Sequence, residues 1–348
     1  MSEQAILLGV PKVEYSGDGI TPFPRCLKAC ANYLGMDVGY DYVMAASGAA
    51  FRLTWDTKSW NCGNVDTIYT FDDPSQIFRM GIESLECEYN LIGRTPETKK
   101  TEFADFIKAK IDAGIPVIAR GVIGPPETCI ITGYRDGGDT LLGWNFFQDN
   151  PVFAGDVTFD ESGYFITDQW WENSDTNAIM SLGEMTGERF TPKTVLQNAI
   201  EVMTGRQLKC CAKGISAYDA WAKAILDDGE FPKNAILPIL AERLMCHGDA
   251  MDCIADGRHN AASYIKGLIP VYPAYQAQLE KTAMLFMKVW RTFGKMAEIL
   301  GGWQRGENEM RMFAKPQVRK QIAEIIYEAK NADEKALGMI KDLVNVLL

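Results

Sequence analysis

From about residue 190 onward, apolar positions recur every three or four residues almost without interruption, the pattern of helices that each bury one face. Pro192 opens such a run through Val195, Leu196, Ala199 and Val202, and Ile215–Leu226 repeats it after Gly214. Ala274–Leu300 is read as a long helix with Leu279, Leu285, Met287, Trp290, Phe293 and Ile299 on or near one face, stopped by Gly301 and Gly302. Pro316–Lys330 and Asp333–Leu348 predict two further helices and complete a bundle, whose methionine and aromatic stripes are read as core rather than as cofactor contacts.

Before residue 180 the pattern differs. A helix is expected from Pro24 to Gly35, because proline suits a first turn where its missing N–H would be unpaired and glycine suits a helix stop. A second spans about Glu97–Gly114, with Phe103, Phe106, Ile107 and Ile111 at helical spacing. Then the period shortens. Pro116–Arg120, Cys129–Tyr134 and Thr140–Trp144 read as strands, Arg135–Asp139 has hairpin-turn chemistry, and Gly163–Ile166 is a further strand candidate. The stretch Ser181–Pro192, with two glycines and a proline, is the expected boundary. The predicted class is α+β: a helix-then-antiparallel-sheet domain over residues 1–185, followed by an α-helical domain over 190–348.

Composition narrows the function. The chain has 348 residues, 47% of them hydrophobic and 23% charged, with 35 Lys+Arg against 46 Asp+Glu for a net charge of −11. An acidic chain is a poor match to nucleic acid, which recruits proteins through a positive field. No apolar run is long enough to span a bilayer and the N-terminus does not read as a secretory leader, so a cytoplasmic protein without a membrane partner is expected. The nine cysteines are odd in number, and reduced thiols are expected rather than a disulfide framework.

Several chemistries lack their motifs. Cys246, His247, Cys253 and His259 form the one Cys/His cluster and read as buried side chains of a bundle; no metal is expected. There is no phosphate-binding glycine loop and no GxSxG elbow, so no nucleotide cofactor and no serine hydrolase are expected. Asp72 and Asp73 before Pro74 read as a helix-start signal, and Asp136 and Asp139 as turn chemistry.

Cys26 remains, in Thr21-Pro-Phe-Pro-Arg-Cys26. Placed in the first turn of a helix with Arg25 beside it, its thiolate would be favoured by free N–H groups and positive charge, and a thiolate is a nucleophile. The competing reading is a buried small hydrophobe, which is also the expectation for Cys30 one turn on. The runs Pro24–Gly35 and Tyr42–Phe51 resemble the start of the butirosin-biosynthesis acyltransferase type N-terminal domain, a group similar to papain-like bacteriocin-processing peptidases. Gly114–Arg120, Glu127–Tyr134 and Leu141–Asn145 are similar to the other half of that fold, and Gly214–Trp221 looks like tails appended to some members. The resemblance covers about residues 20–150. It implies a papain-like fold with Cys26 as nucleophile, a His at the start of a strand, and an orienting Asn or Asp on the next.

The chain departs from that pattern at the imidazole. Glu127 stands where the family has its His, residues 1–180 contain no histidine, and Asn145, with Asp149 as an alternative, occupies the orienting position. Three readings follow. In one, Cys26 performs acyl transfer or amide chemistry with Glu127 as acid/base, its pKa raised by burial, and Asn145 orienting. In another the chain is a catalytically inactive binding protein in which Glu127 recognises an amine. In the third, His247 or His259 completes the pair from the helical domain. The expected partner is a small or peptide-like substrate, with a thioester as candidate acyl donor; an oligomer is left open. Trp144, Phe146, Phe147, Trp170 and Trp171 are read chiefly as packing, with an acyl pocket as the alternative.

Overall fold

The computed structural model describes residues 3–16 and 19–347. In chain order its elements are β1 (Ala5–Ile6), α1 (Pro22–Tyr33), α2 (Tyr40–Ala46), β2 (Thr54–Asp56), α3 (Gln76–Glu83), β3 (Cys87–Gly93), α4 (Lys100–Asp112), β4 (Val117–Arg120), β5 (Thr128–Arg135), β6 (Thr140–Trp144), β7 (Thr158–Phe159), β8 (Phe165–Thr167) and β9 (Ala178–Met185). There follow α5 (Pro192–Met203), β10 (Arg206–Leu208), β11 (Cys211–Lys213), α6 (Ile215–Leu226), α7 (Leu237–Gly267), α8 (Gln276–Leu300), α9 (Glu307–Phe313) and α10 (Pro316–Val346). The chain is therefore mixed α and β, with antiparallel sheets and a helical C-terminal region. No helix among the described residues is long and apolar enough to cross a membrane.

Two units emerge. The first takes the chain up to Val43 and Phe78–Arg189; the second takes Met44–Ile77 and everything from Phe190 on. Residues 44–77 fall inside the stretch 1–185 that periodicity assigns to the first domain, yet they cluster with the second unit. The cause is non-local pairing: β2 hydrogen-bonds to β11, with Trp55 opposite Ala212. The turn at Ala49–Phe51 also lies against α7, so closely that a Cβ on Gly257 would stand 2.7 Å from the Ala50 carbonyl oxygen.

In the first unit the sheet runs β3-β9-β4-β5-β6-β8-β7, with β1 pairing β5, and every pairing is antiparallel. Strand alternation sends Ala119, Cys129 and Ile131 to one face, and the register shift between Ile131 and Gly133 turns Tyr134 to the same face, where they meet Phe103, Ile107 and Ile111 of α4. It sends Thr128, Ile130 and Thr132 to the other, and α1 packs on β4 and β5 with Phe23, Cys26, Leu27 and Cys30 buried. Several expected boundaries shift. Ser181–Met185, read as linker, is the end of β9, a central strand between β3 and β4.

The second unit is not purely helical. A three-stranded sheet, β10-β11-β2, accompanies α5–α10. The two helices expected over 316–348 are one continuous helix, α10, since Asn331 and Ala332 carry no backbone break. Its core joins Trp221 and Ile225 of α6, Leu244 and Ile254 of α7, Val289 and Met296 of α8 and Ile322 and Ile326 of α10.

Candidate functional site

Helix α1 begins at Pro22, two residues earlier than its spacing suggested, and Pro24 lies inside its first turn. Both prolines are tolerated there because first-turn N–H groups need no helical partner. This has an electrostatic cost. Two of the first three helical residues have no N–H to offer an anion, and Arg25 N–H already donates to the Thr21 carbonyl at 3.2 Å. Cys26 is the fifth helical residue, past the turn where the macrodipole acts. The placement of Cys26 in the first turn is thereby corrected.

The Cys26 side chain has no solvent exposure. Burial raises its pKa well above the ordinary thiol value, and the neighbouring thiols of Cys129 and Cys30 raise it further. The Thr128 hydroxyl, which has no other hydrogen-bond partner, favours the anion slightly, and the Glu127 carboxylate opposes it. None of these dominant influences is a cation. Arg25 reaches instead to the Ser16 hydroxyl at 3.4 Å, and its guanidinium carbon lies 6.0 Å from the Tyr40 ring centroid. The thiolate expected from a helix start beside an arginine is therefore not favoured; Cys26 rests as a neutral, enclosed thiol.

Burial likewise pushes Cys30 upward and takes Cys129 up to about 12. All three are therefore neutral thiols, Cys26 and Cys30 on α1 and Cys129 on β5.

The other two expected residues lie close by in different roles. Glu127 is half-buried at the entrance to β5, its backbone N–H donating to the Pro125 carbonyl and its carbonyl accepting from Gly121 N–H at 2.9 Å. Asn145 is buried and its amide is committed to the backbone. Its Nδ2 donates to the Gly121 carbonyl at 3.0 Å and the Ile123 carbonyl at 3.3 Å, and its Oδ1 accepts from Phe147 N–H at 2.8 Å. These bonds fasten the loop between β4 and β5 to the end of β6. The structure thus brings Cys26, Thr128 and Glu127 together, and gives Asn145 a loop-holding task on the Cys129 side.

Both histidines belong to α7 of the second unit. His247 is fully buried, stacked on Phe313 at 4.6 Å, with Nδ1 accepting from Trp221 Nε1 at 3.1 Å. Burial, aided by the Arg305 charge, lowers its pKa to about 3, so it is a neutral core residue. His259 lies beside Trp290, 5.8 Å between ring centroids.

The aromatic cluster is committed to packing within the first unit. Trp144 sits edge-on to Tyr164 and donates to the Val10 carbonyl at 2.9 Å; Trp170 donates to the Asp139 carbonyl; Trp171 meets Phe103.

Two features escaped the sequence reading. Thr128 stands next to Cys26 because β5 begins one residue earlier than its apolar run. The other is a cavity of about 910 Å³ in the first unit, between the 122–124 loop, the 152–158 segment and β8. Ile123, Phe153 and Val157 supply apolar wall, Asp156, Asp168 and Glu172 supply negative charge, and no Lys, Arg or His lines it. Its signal in the sequence was weak: scattered acids in turn-rich chain.

Comparison with protein-family models finds no match to this chain, and comparison with curated proteins finds none either.

Proposed function

We propose that the first unit is a catalytically silent member of the papain-like architecture that binds a small amphipathic amine. The observation that carries this reading is the enclosed, neutral Cys26 thiol, flanked by two thiols and a carboxylate where catalysis needs a base and a solvent route. A helix laid on an antiparallel sheet, with its cysteine facing the first residue of a strand, supports the papain-like part. The cavity supports the binding part. Its apolar wall suits a hydrocarbon body, and three carboxylates without a lining cation suit an ammonium head.

The test is a calorimetric titration with hexylammonium and, separately, with hexanol. Saturable binding of the ammonium, weakened at least tenfold in Asp168→Asn/Glu172→Gln and unchanged in Cys26→Ala, is expected. Equal binding of the two probes, or none of either, would overturn it.

A second reading has its own observation: Cys26, Thr128 and Glu127 do share one contact region. Cys26-dependent acyl transfer from a thioester, with Glu127 taking the thiol proton, would require α1 and β5 to separate enough to admit the donor. Thioester turnover lost in Cys26→Ser would establish that reading in place of the first.

A further inference from the structure

Cys62 and Cys246 lie with their sulfurs 3.5 Å apart in the second unit, and both are reduced. Their exposures are opposite. Cys62 is on the solvent side, in the loop that follows β2, while Cys246 is buried on α7. The loop is fixed on both sides of Cys62. Before it, Trp60 donates to Glu230 at 2.9 Å and lies edge-on to Trp55, with the Arg243 guanidinium 4.8 Å from its ring centroid. After it, the Asn64 side chain accepts from Asp56 N–H at 2.7 Å. The sulfurs are thus held together by anchored backbone on each side, so forming a bond between them needs little rearrangement.

We infer that Cys62 and Cys246 are a disulfide-forming modification site, in which an attacking thiol open to solvent is resolved by a buried one and the 57–66 loop becomes covalently tied to α7. With a peroxide as oxidant the atoms balance. The Cys62 thiolate attacks one peroxide oxygen, an S–O bond forms and the O–O bond breaks, and the leaving hydroxide takes a proton to become water. Cys246 then attacks the Cys62 sulfur, the S–S bond forms, and the sulfenic oxygen departs as a second water carrying the Cys246 proton. Two thiols and one peroxide give one disulfide and two waters; a dithiol reductant reverses it.

No other thiol pair offers this arrangement. Cys210 and Cys211, 3.7 Å apart, are sequence neighbours, and a bond between them would close a strained small ring. Cys26, Cys30 and Cys129 are all fully buried, so none is open to the oxidant.

The experiment is peptide mapping of the full-length protein after one equivalent of hydrogen peroxide, against a reduced control. Intact mass should fall by about 2 Da, the loss of two hydrogens. Trypsin should release Ser59–Arg79 linked to Leu244–Arg258, with fragmentation placing the bond at Cys246 and not Cys253. Cys62→Ser, a change at an exposed position, should remove the linked peptide and leave folding intact. Oxidation of Cys62 to sulfinic acid with Cys246 still free would overturn the inference. So would a link that forms between chains in proportion to protein concentration.

Discussion

In the second unit Arg258 and Asp333 are fully buried against each other, whereas in the first Cys26, Cys30 and Cys129 are fully buried with no cation dominating their surroundings. Arg258 gives Nε and Nη2 to Asp333 Oδ2 at 2.9 and 2.7 Å, and Nη1 to the Ala50 and Arg52 carbonyls at 2.9 and 3.0 Å. The Tyr218 hydroxyl donates to the same carboxylate oxygen at 2.7 Å. Geometry there keeps the guanidinium charged: burial lowers the Arg258 pKa, but Asp333 and Tyr218 together outweigh it and the pKa is raised. Around Cys26 the dominant neighbours are thiols, one hydroxyl and a carboxylate, so burial prevails and the thiol keeps its proton. Enclosure alone does not make a group reactive or inert; what faces it decides.

The comparison breaks most visibly at the ion pair. Asp333→Ala strands Arg258 without its partner and should lower stability by about 3–5 kcal/mol, read as a fall in the urea midpoint. A loss below 1 kcal/mol would mean that Arg258 reaches water.

Asn145 sharpens the first unit's side. Asn145→Ala removes two buried hydrogen bonds and one part-buried one, leaving the Ile123 carbonyl and the Phe147 N–H without their partner while the Gly121 carbonyl keeps the Cys129 thiol, an expected loss of about 2–3 kcal/mol. The 121–124 loop should also gain amide exchange. Unchanged stability together with altered chemistry at Cys26 would instead make Asn145 an orienting residue.

His247 gives the smallest of these effects, set by pH. It titrates near 3 folded and near 6.5 when exposed on unfolding, so between those values the unfolded chain binds the extra proton. Stability therefore falls as pH drops below about 6.5, by roughly 1.4 kcal/mol per unit, or about 2 kcal/mol at pH 5. Asp252, taken up to about 6 chiefly by burial, works in the opposite sense over part of this range. Subtracting the pH dependence of His247→Gln isolates the histidine; identical slopes in the two proteins would contradict its burial as a neutral ring.

How far the sequence disclosed this follows physical lines. Helices with long apolar stripes, such as α4, α6 and α8, were legible within a few residues because periodicity is local. β9 was not. Gly183 and Glu184 look like linker, yet a Cβ on Gly183 would stand 2.4 Å from Asn90 Nδ2 and 2.7 Å from Glu88 Cβ of the neighbouring strand. The glycine marks close cross-strand approach rather than a break. The assignment of residues 44–77 to the second unit rests on β2 meeting β11 some 150 positions later, which no local pattern carries. At the site, the meeting of Cys26 with Glu127 was suggested by resemblance. The start of α1 at Pro22, which leaves the sulfur outside the reach of the helix dipole, was hidden by the choice between two prolines.

The measurement that bears most directly on the account is the rate at which each cysteine of the native protein reacts with iodoacetamide between pH 6 and 9. Cys62 should modify readily, with Cys26 unmodified across the range until denaturant unfolds the first unit. Prompt alkylation of Cys26 at pH 7, slowed by Glu127→Gln, would contradict a sealed neutral thiol and restore a working nucleophile.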